Sequence, residues 1–193
     1  MTMNRREALT LTATGFGLAL TTSALATLLQ GCSLDTPDPW VPQTLSEQQV
    51  QDLAAIAETL LPATPDSPGA TDVGVHRFVD TLLTHWASPE TRTIWLEKFG
   101  LLQQSITDHA EASAFTELDR EDQNQILTKV NQRALKGGDR TEPERFFLDL
   151  KRMIIDSYFS SREVGMNVLA YDPVPGVYQG CVPLAQVGKA WSL

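Results

Sequence analysis

Apolar side chains recur at helical spacing in several segments of this chain, and capping residues or chain breakers bound those segments. Ser46, with Gln49 three residues later, has the pattern of a capping box and predicts the start of a helix that Pro62 ends. The apolar positions between them lie mostly three or four residues apart, as one buried helix face requires: Val50, Leu53, Ala54, Ala57, Leu60 and Leu61. This first segment is therefore predicted as an amphipathic helix.

The same signals predict four more helices, over about 72–86, 88–110, 119–137 and 141–158. No stretch alternates apolar and polar residues for long enough to predict a strand. Amphipathic helices without strands must bury their apolar faces against one another. The pattern therefore predicts an all-α fold, a helical bundle of about five helices.

The C-terminal segment 161–193 departs from the helical pattern. Glycine or proline recurs every few residues there, which excludes one long helix, yet aromatic residues are too frequent for a disordered segment. We predict a long irregular tail that packs either on its own bundle or on another protein, and both alternatives are open. In the second alternative the partner-interface residues are the aromatic side chains Tyr158, Phe159, Tyr171, Tyr178 and Trp191.

The first residues have the pattern of an export signal. Arg5 and Arg6 form a pair, and no charged residue occurs from Ala8 to Leu34. The uncharged stretch is rich in Thr and Ala, so it is less hydrophobic than an ordinary membrane span, and this favours the twin-arginine route over general secretion. Ala8 stands where the twin-arginine pattern prefers Phe. Because that route carries folded proteins, the signal bears on assembly as well as on destination.

Three processing fates are open at the end of this signal. Ala24-Leu25-Ala26 is a small-x-small site, where a signal peptidase would release a soluble protein. Leu29-Gln30-Gly31-Cys32 resembles a bacterial lipobox, in which the Cys32 thiol takes a lipid anchor. The third fate is an uncleaved anchor, since about 20 apolar residues can span a bilayer.

Composition limits the domain count and the partners. With an export signal over 1–31, the chain divides further into an extended tether over 32–45 and one helical domain over 46–193. The chain carries 15 Lys or Arg and 24 Asp or Glu, a net charge of −9 at pH 7, which disfavours nucleic acid as a partner. Lipidation of Cys32 would exclude a disulfide between Cys32 and Cys181.

Motifs for catalysis or cofactor binding are sparse. Asp72, His76 and Asp80 are spaced i, i+4 and i+8, so one helix face would present two carboxylates and an imidazole. Such spacings arise often by chance, and a first-turn Asp72 is better explained by the helix dipole. No nucleophile elbow, phosphate loop, GxGxxG or haem-attachment motif occurs. We therefore predict no catalytic residue, no metal site and no cofactor in this chain.

Three groups of short motifs, in consistent order and spacing, resemble one protein family. The first is Glu58–Ala63 with Pro68–Val75 and Phe78–Asp80, and the second is Phe146-Phe147 with Leu150-Lys151, Tyr158-Phe159-Ser160-Ser161 and Gly165. The third is Leu169–Pro173 with Pro175–Cys181. Over about residues 46–193 the chain resembles the small subunit 3 of gluconate 2-dehydrogenase.

The resemblance implies a non-catalytic subunit of a periplasmic, membrane-associated oxidoreductase complex. In that family FAD belongs to a large catalytic subunit of the glucose-methanol-choline type, and a cytochrome with haem c commonly forms a third subunit. The small subunit is similar to an escort that binds the flavoprotein in the cytoplasm and carries it through the twin-arginine translocase. The substrate of such complexes is a sugar or sugar acid.

Two alternatives to the escort role follow from the residues. The first is a free-standing helical envelope lipoprotein with a binding or structural role, which Cys32 would anchor. The second is an enzyme that uses a metal on the Asp72, His76 and Asp80 face.

Overall fold

The computed structural model describes residues 40–193 except 111, 137, 175, 178, 179 and 193, and this part is helical. Its five long helices are α1 (Glu47–Leu60), α2 (Val75–His85), α3 (Pro89–Ala110), α4 (Arg120–Leu135) and α5 (Glu142–Phe159). Shorter elements are a 3₁₀ turn (Phe115–Glu117), a π turn (Val164–Val168) and α6 (Leu184–Val187). The described residues form no strand, only the isolated bridges Thr64–Ser67 and Ala170–Trp191. The prediction of an all-α bundle is confirmed.

The helix starts carry the caps that the sequence indicates. At α1 the Gln49 N–H donates to Ser46 Oγ over 3.2 Å, and the Ser46 N–H donates to Gln49 Oε1 over 3.0 Å, so both halves of the capping box form. At α5 the Thr141 N–H likewise donates to Glu144 Oε2 over 2.9 Å. These bonds satisfy N–H groups that have no partner within the helix.

Helix α2 begins three residues later than predicted, at Val75 rather than at Asp72. The difference arises from Gly74, which lies before the helix with φ of 71°, a left-handed conformation that glycine adopts readily. Residues 70–74 form turns instead, and the Gly74 N–H donates to the Thr71 carbonyl over 3.1 Å. Asp72 is therefore not a first-turn helix residue, and the helix-dipole explanation of it is wrong.

Helix α5 lies at the centre of the bundle and contacts each of the other four long helices. Phe147, Leu150 and Ile154 on α5 are almost completely buried. Towards α3, Phe146 meets Trp95 edge to face with ring centroids 5.5 Å apart, a preferred aromatic geometry. Residues from Val41 onward belong to one compact unit, and its core runs along α5.

Candidate functional site

The loop between α1 and α2 closes around the carboxylate of Glu58. Glu58 Oε2 accepts hydrogen bonds from Thr71 Oγ1 at 2.6 Å and from the Thr71 N–H at 3.0 Å, and Oε1 accepts from the Ala63 N–H at 3.2 Å. We call this set of bonds the Glu58 clamp. Burial alone would raise the pKa of Glu58, but these bonds and the charge of Arg120 outweigh it, so the pKa lies below its usual range.

Gly69 passes so close to the clamp that a side chain there would displace the Glu58 carboxylate. A Cβ built at Gly69 would lie 2.6 Å from Glu58 Oε2 and 2.8 Å from Cδ, inside the closest approach that real Cβ atoms show. The Gly69 N–H also donates to Asp72 Oδ2 over 2.8 Å. Glycine leaves the Glu58 carboxylate in its clamped position because it lacks a side chain.

The clamped loop fixes an aromatic pair at the end of α5. Tyr158 is buried, and its hydroxyl donates to the Pro68 carbonyl over 2.7 Å. The ring of Phe159 packs edge to face on Tyr158, with centroids 5.2 Å apart. Phe159 remains 39% exposed. The Pro68 carbonyl therefore fixes Tyr158, and Tyr158 in turn positions the surface residue Phe159.

Phe159 borders an open groove between α2 and α5, which we call the α2–α5 groove. It has a volume of about 580 Å³. Phe78 and Leu82 line it from α2, and Met153 lines it from α5. Phe78 is 48% exposed although it is a large apolar side chain. The groove is therefore an apolar surface that the bundle leaves open.

An exposed tryptophan continues the apolar row of α2. Phe78, Leu82 and Trp86 are spaced i, i+4 and i+8, so they follow one another along one helix face. Trp86 lies directly after α2 and is 82% exposed. Trp and Phe are residue types that anchor protein interfaces when a partner buries them.

The polar part of the α2–α5 groove comes from α5. Asp149, Arg152 and Asp156 line it, and all three side chains are exposed. Asp149 and Asp156 are seven residues apart, two helical turns, with Arg152 between them. The groove therefore has an apolar floor and a rim with one more negative charge than positive charge.

Asp72, His76 and Asp80 do not form the common face that their spacing suggested. Asp72 lies in the turn before α2 and accepts from Gly69, whereas Asp80 is buried on the inner side of α2. The pKa of His76 is lowered by burial and by the neighbouring charge of Arg77. Within residues 40–193, as far as they are described, no three His, Cys, Asp or Glu side chains are grouped to hold a metal ion.

Asp80 instead anchors the segment that precedes α1. Its Oδ1 accepts from the N–H groups of Thr44 at 3.0 Å and Leu45 at 2.8 Å, and its Oδ2 accepts from Gln43 at 2.9 Å. Leu45 is itself buried in the core. The sequence carries no signal of this role, because an anchoring carboxylate has no motif when its partners are backbone groups of a distant segment. The end of the segment predicted as a tether is thus fixed to α2.

The aromatic residues predicted for a partner interface fall into three situations. Tyr158 is buried, and its ring contacts the exposed ring of Phe159 edge to face. Tyr171 and Trp191 are exposed in the tail, where the Ala170 N–H donates to the Ala190 carbonyl over 2.8 Å. Tyr178 lies outside the described residues.

The predictions for the export signal also concern undescribed residues. Arg5, Arg6 and Cys32 lie outside the part of the chain that the structure describes, as does most of the predicted tether. Cys181 is described and is exposed. None of the described helices is long and apolar enough to cross a membrane.

Comparison with known proteins identifies one family. The family model for gluconate 2-dehydrogenase subunit 3 matches residues 47–176 of this chain, a range that contains the Glu58 clamp and both helices of the α2–α5 groove. No curated protein matches the chain, and no solved structure matches it.

Proposed function

The chain belongs to the gluconate 2-dehydrogenase subunit 3 family, and from that premise we propose that it is the non-catalytic small subunit of a periplasmic, FAD-dependent sugar or sugar-acid dehydrogenase. In this role it binds the flavin-containing catalytic subunit in the cytoplasm and exports it through the twin-arginine translocase. FAD belongs to the catalytic subunit, and haem c belongs to a cytochrome that forms a third subunit. Membership of the family is consistent with an accessory subunit of a dehydrogenase complex.

The observation that carries this proposal is the apolar surface of the α2–α5 groove. Phe78 and Phe159 in the groove leave large apolar areas in contact with water, as does Trp86 directly after α2. Contiguous apolar patches of this kind mark interaction surfaces on soluble proteins. A catalytic subunit that covers the groove would remove this area from water, and that transfer favours association.

The tail supplies a second surface for the same partner. Tyr171, Val174, Val177 and Trp191 are exposed, whereas Val164 at the start of the tail is buried in the core. The tail therefore begins as part of the bundle and then leaves these four apolar side chains accessible. This distribution supports contact with another protein rather than wrapping of the bundle.

Export of a preformed pair has a physical reason. A flavoprotein must bind FAD before it leaves the cytoplasm, because free FAD is not expected outside. A translocase for folded proteins permits this, and one signal serves two chains when their interface survives transit. Interfaces of that permanence commonly bury on the order of 2,000 Å² or more, so the groove and the tail together are suited to the task.

The export role is tested by disabling the signal in cells that produce both subunits. With Arg5→Lys and Arg6→Lys together, we expect the flavoprotein to stay in the cytoplasm, whereas the unchanged chain brings it to the periplasm. The measurement is bound FAD and dehydrogenase activity in periplasmic and cytoplasmic fractions. Arg162→Lys, an exposed residue in the helical domain, is the matched control and should leave export unchanged.

Periplasmic flavoprotein at the unchanged level in the double variant would contradict the escort role. Purification of the native protein from the envelope, followed by a visible spectrum, tests the complex itself. We expect flavin and haem bands to co-purify. A protein that purifies alone, with Cys32 lipidated, would instead support the free-standing lipoprotein.

A further inference from the structure

We propose that the α2–α5 groove binds an amphipathic helix of the catalytic subunit, one that presents apolar side chains to the groove floor and basic side chains to its rim. This inference rests on the proposed function and adds to it the chemistry of the partner segment. Three observations carry it: the row of apolar anchors on α2, the charges along α5 and the prior fixing of Phe159.

The apolar anchors have the spacing that a bound helix can match. Phe78, Leu82 and Trp86 extend along one face of α2, with Met153 and Phe159 opposite on α5. Because α2 has 11 residues, it is about 16 Å long at 1.5 Å per residue. An incoming helix of about three turns would cover this length, with anchors at i, i+3 or i+4, and i+7.

The charges of the rim favour a basic protein segment. Asp149 and Asp156 flank Arg152 along the groove, and the whole chain has a net charge of −9. Complementary potentials favour association and exclude acidic partners. A membrane surface is a poorer occupant, because anionic lipid would be repelled and because a concave groove fits a rod better than a plane.

The groove wall is organised before binding. Phe159 packs on Tyr158, whose hydroxyl is held by the Pro68 carbonyl. The partner therefore does not have to order this wall on binding, and a preformed surface loses less conformational entropy. The family motif around Pro68 thus contributes to binding through the position of Phe159.

The first test measures affinity between the purified chain and the purified FAD-loaded catalytic subunit. Phe78→Ser should weaken binding at least tenfold, since central aromatic anchors carry much of the energy of an interface. Trp86→Ser changes the end of the apolar row of α2 and should weaken binding as well. Leu135→Ser is the matched control, because Leu135 is 61% exposed on α4 and belongs neither to the groove lining nor to the apolar row of α2. It should change the dissociation constant less than about threefold.

The second test addresses charge. Asp149→Lys with Asp156→Lys should weaken binding about tenfold at low salt and less at high salt, because salt screens exposed charges. Asp108→Lys, exposed on α3, is the control and should have little effect. Tighter binding by the double variant would show an acidic segment and overturn the basic part of the inference.

The third test identifies the occupant directly. A photoreactive phenylalanine analogue in place of Phe78 is activated in the assembled complex, and the cross-linked peptides are identified by mass spectrometry. We expect a peptide of the catalytic subunit with helical apolar spacing and Lys or Arg on its polar side. Cross-links to lipid, to a second copy of this chain or to its own residues 171–193 would overturn the inference.

Failure of the inference and failure of the proposed function give different results. If the unchanged chain does not bind the catalytic subunit at all, both fail. If it binds, and Phe78→Ser and Trp86→Ser bind equally well, the accessory role stands and the groove is not the docking site.

Discussion

The two sides of α2 differ in the polarity and in the burial of their side chains. On the inner side Asp80 is buried, yet its carboxylate accepts three backbone hydrogen bonds from residues 43–45. On the outer side Phe78 and Trp86 are apolar, yet they face water. The buried carboxylate of Asp80 therefore has hydrogen-bond partners. The exposed rings of Phe78 and Trp86 lack the apolar contacts that would remove them from water.

This difference separates the side chains that stabilise the bundle from the side chains that are available to bind a partner. A buried carboxylate is tolerated only when hydrogen bonds replace its lost hydration. An exposed aromatic side chain adds little to the stability of the chain that carries it, because its area is still in water. We therefore expect changes on the inner side to lower stability and changes on the outer side to lower association.

The largest contrast should come from two phenylalanines. Phe147 is fully buried on α5, and Phe147→Ala should lower the free energy of unfolding by about 3–5 kcal/mol, since it leaves a cavity. Phe78→Ala should lower it by less than about 1 kcal/mol. Urea unfolding of the protein without its first 31 residues measures both. Similar losses for the two variants would contradict the division between buried side chains, which stabilise the bundle, and exposed ones, which do not.

A smaller effect is expected at the Asp80 anchor. Asp80→Asn keeps the size of the side chain but replaces one acceptor oxygen by an NH₂ group that faces backbone donors. Stability should fall by about 2–4 kcal/mol, because hydrogen bonds to a charged acceptor are lost and a donor is left without an acceptor. Asp149→Asn, exposed on α5, should cost less than about 0.5 kcal/mol.

Proteolysis gives an independent measure of the same anchor. In Asp80→Asn the backbone around Leu45 should become sensitive to protease before the bundle unfolds, because its N–H groups no longer have the carboxylate. Protection equal to that of the unchanged protein would mean that burial of Leu45 alone holds this segment.

The smallest effect concerns pH and the Glu58 clamp. The pKa of Glu58 in the folded protein lies below its ordinary value of 4.5, so the native state favours the ionised form. The resulting stabilisation is complete above about pH 4.5 and is lost as the pH falls through the folded-state pKa. Glu58→Gln removes it. The stability difference between the unchanged protein and this variant should therefore shrink as the pH is lowered from 7 to 3.

Urea unfolding at each pH measures that difference, and the titration of His76 cancels because both proteins contain it. Glu97→Gln, exposed on α3, is the matched control and should change stability by less than about 0.5 kcal/mol throughout. A difference for Glu58→Gln that grows towards low pH would contradict the direction of the pKa shift.

The helices could be predicted because their signals are local. The capping box of Ser46 and Gln49 acts over three residues and forms as predicted. The bond between Thr141 and Glu144 spans the same distance in the sequence. The start of α2 was misplaced because Gly74 adopts a left-handed conformation, which a sequence permits but does not require.

The site was less predictable because it depends on distant contacts. Phe78 and Phe159 line one groove although they are far apart in the sequence. Tyr158 has the same aromatic character as Phe159, and only the packing of α5 determines that one is buried and the other exposed. The resemblance to a family identified the segment around Pro68, but its link to Phe159 through Tyr158 required the structure.

The contact between Gly69 and Glu58 has a consequence for evolution. Since the missing Cβ makes room for the carboxylate, the two positions should covary among related sequences. Any relative that keeps a glutamate at 58 and this loop conformation should keep glycine at 69. A relative with a shorter residue at 58 could accept alanine or serine at 69. Such a pair of substitutions would indicate that the relative lacks the Glu58 clamp.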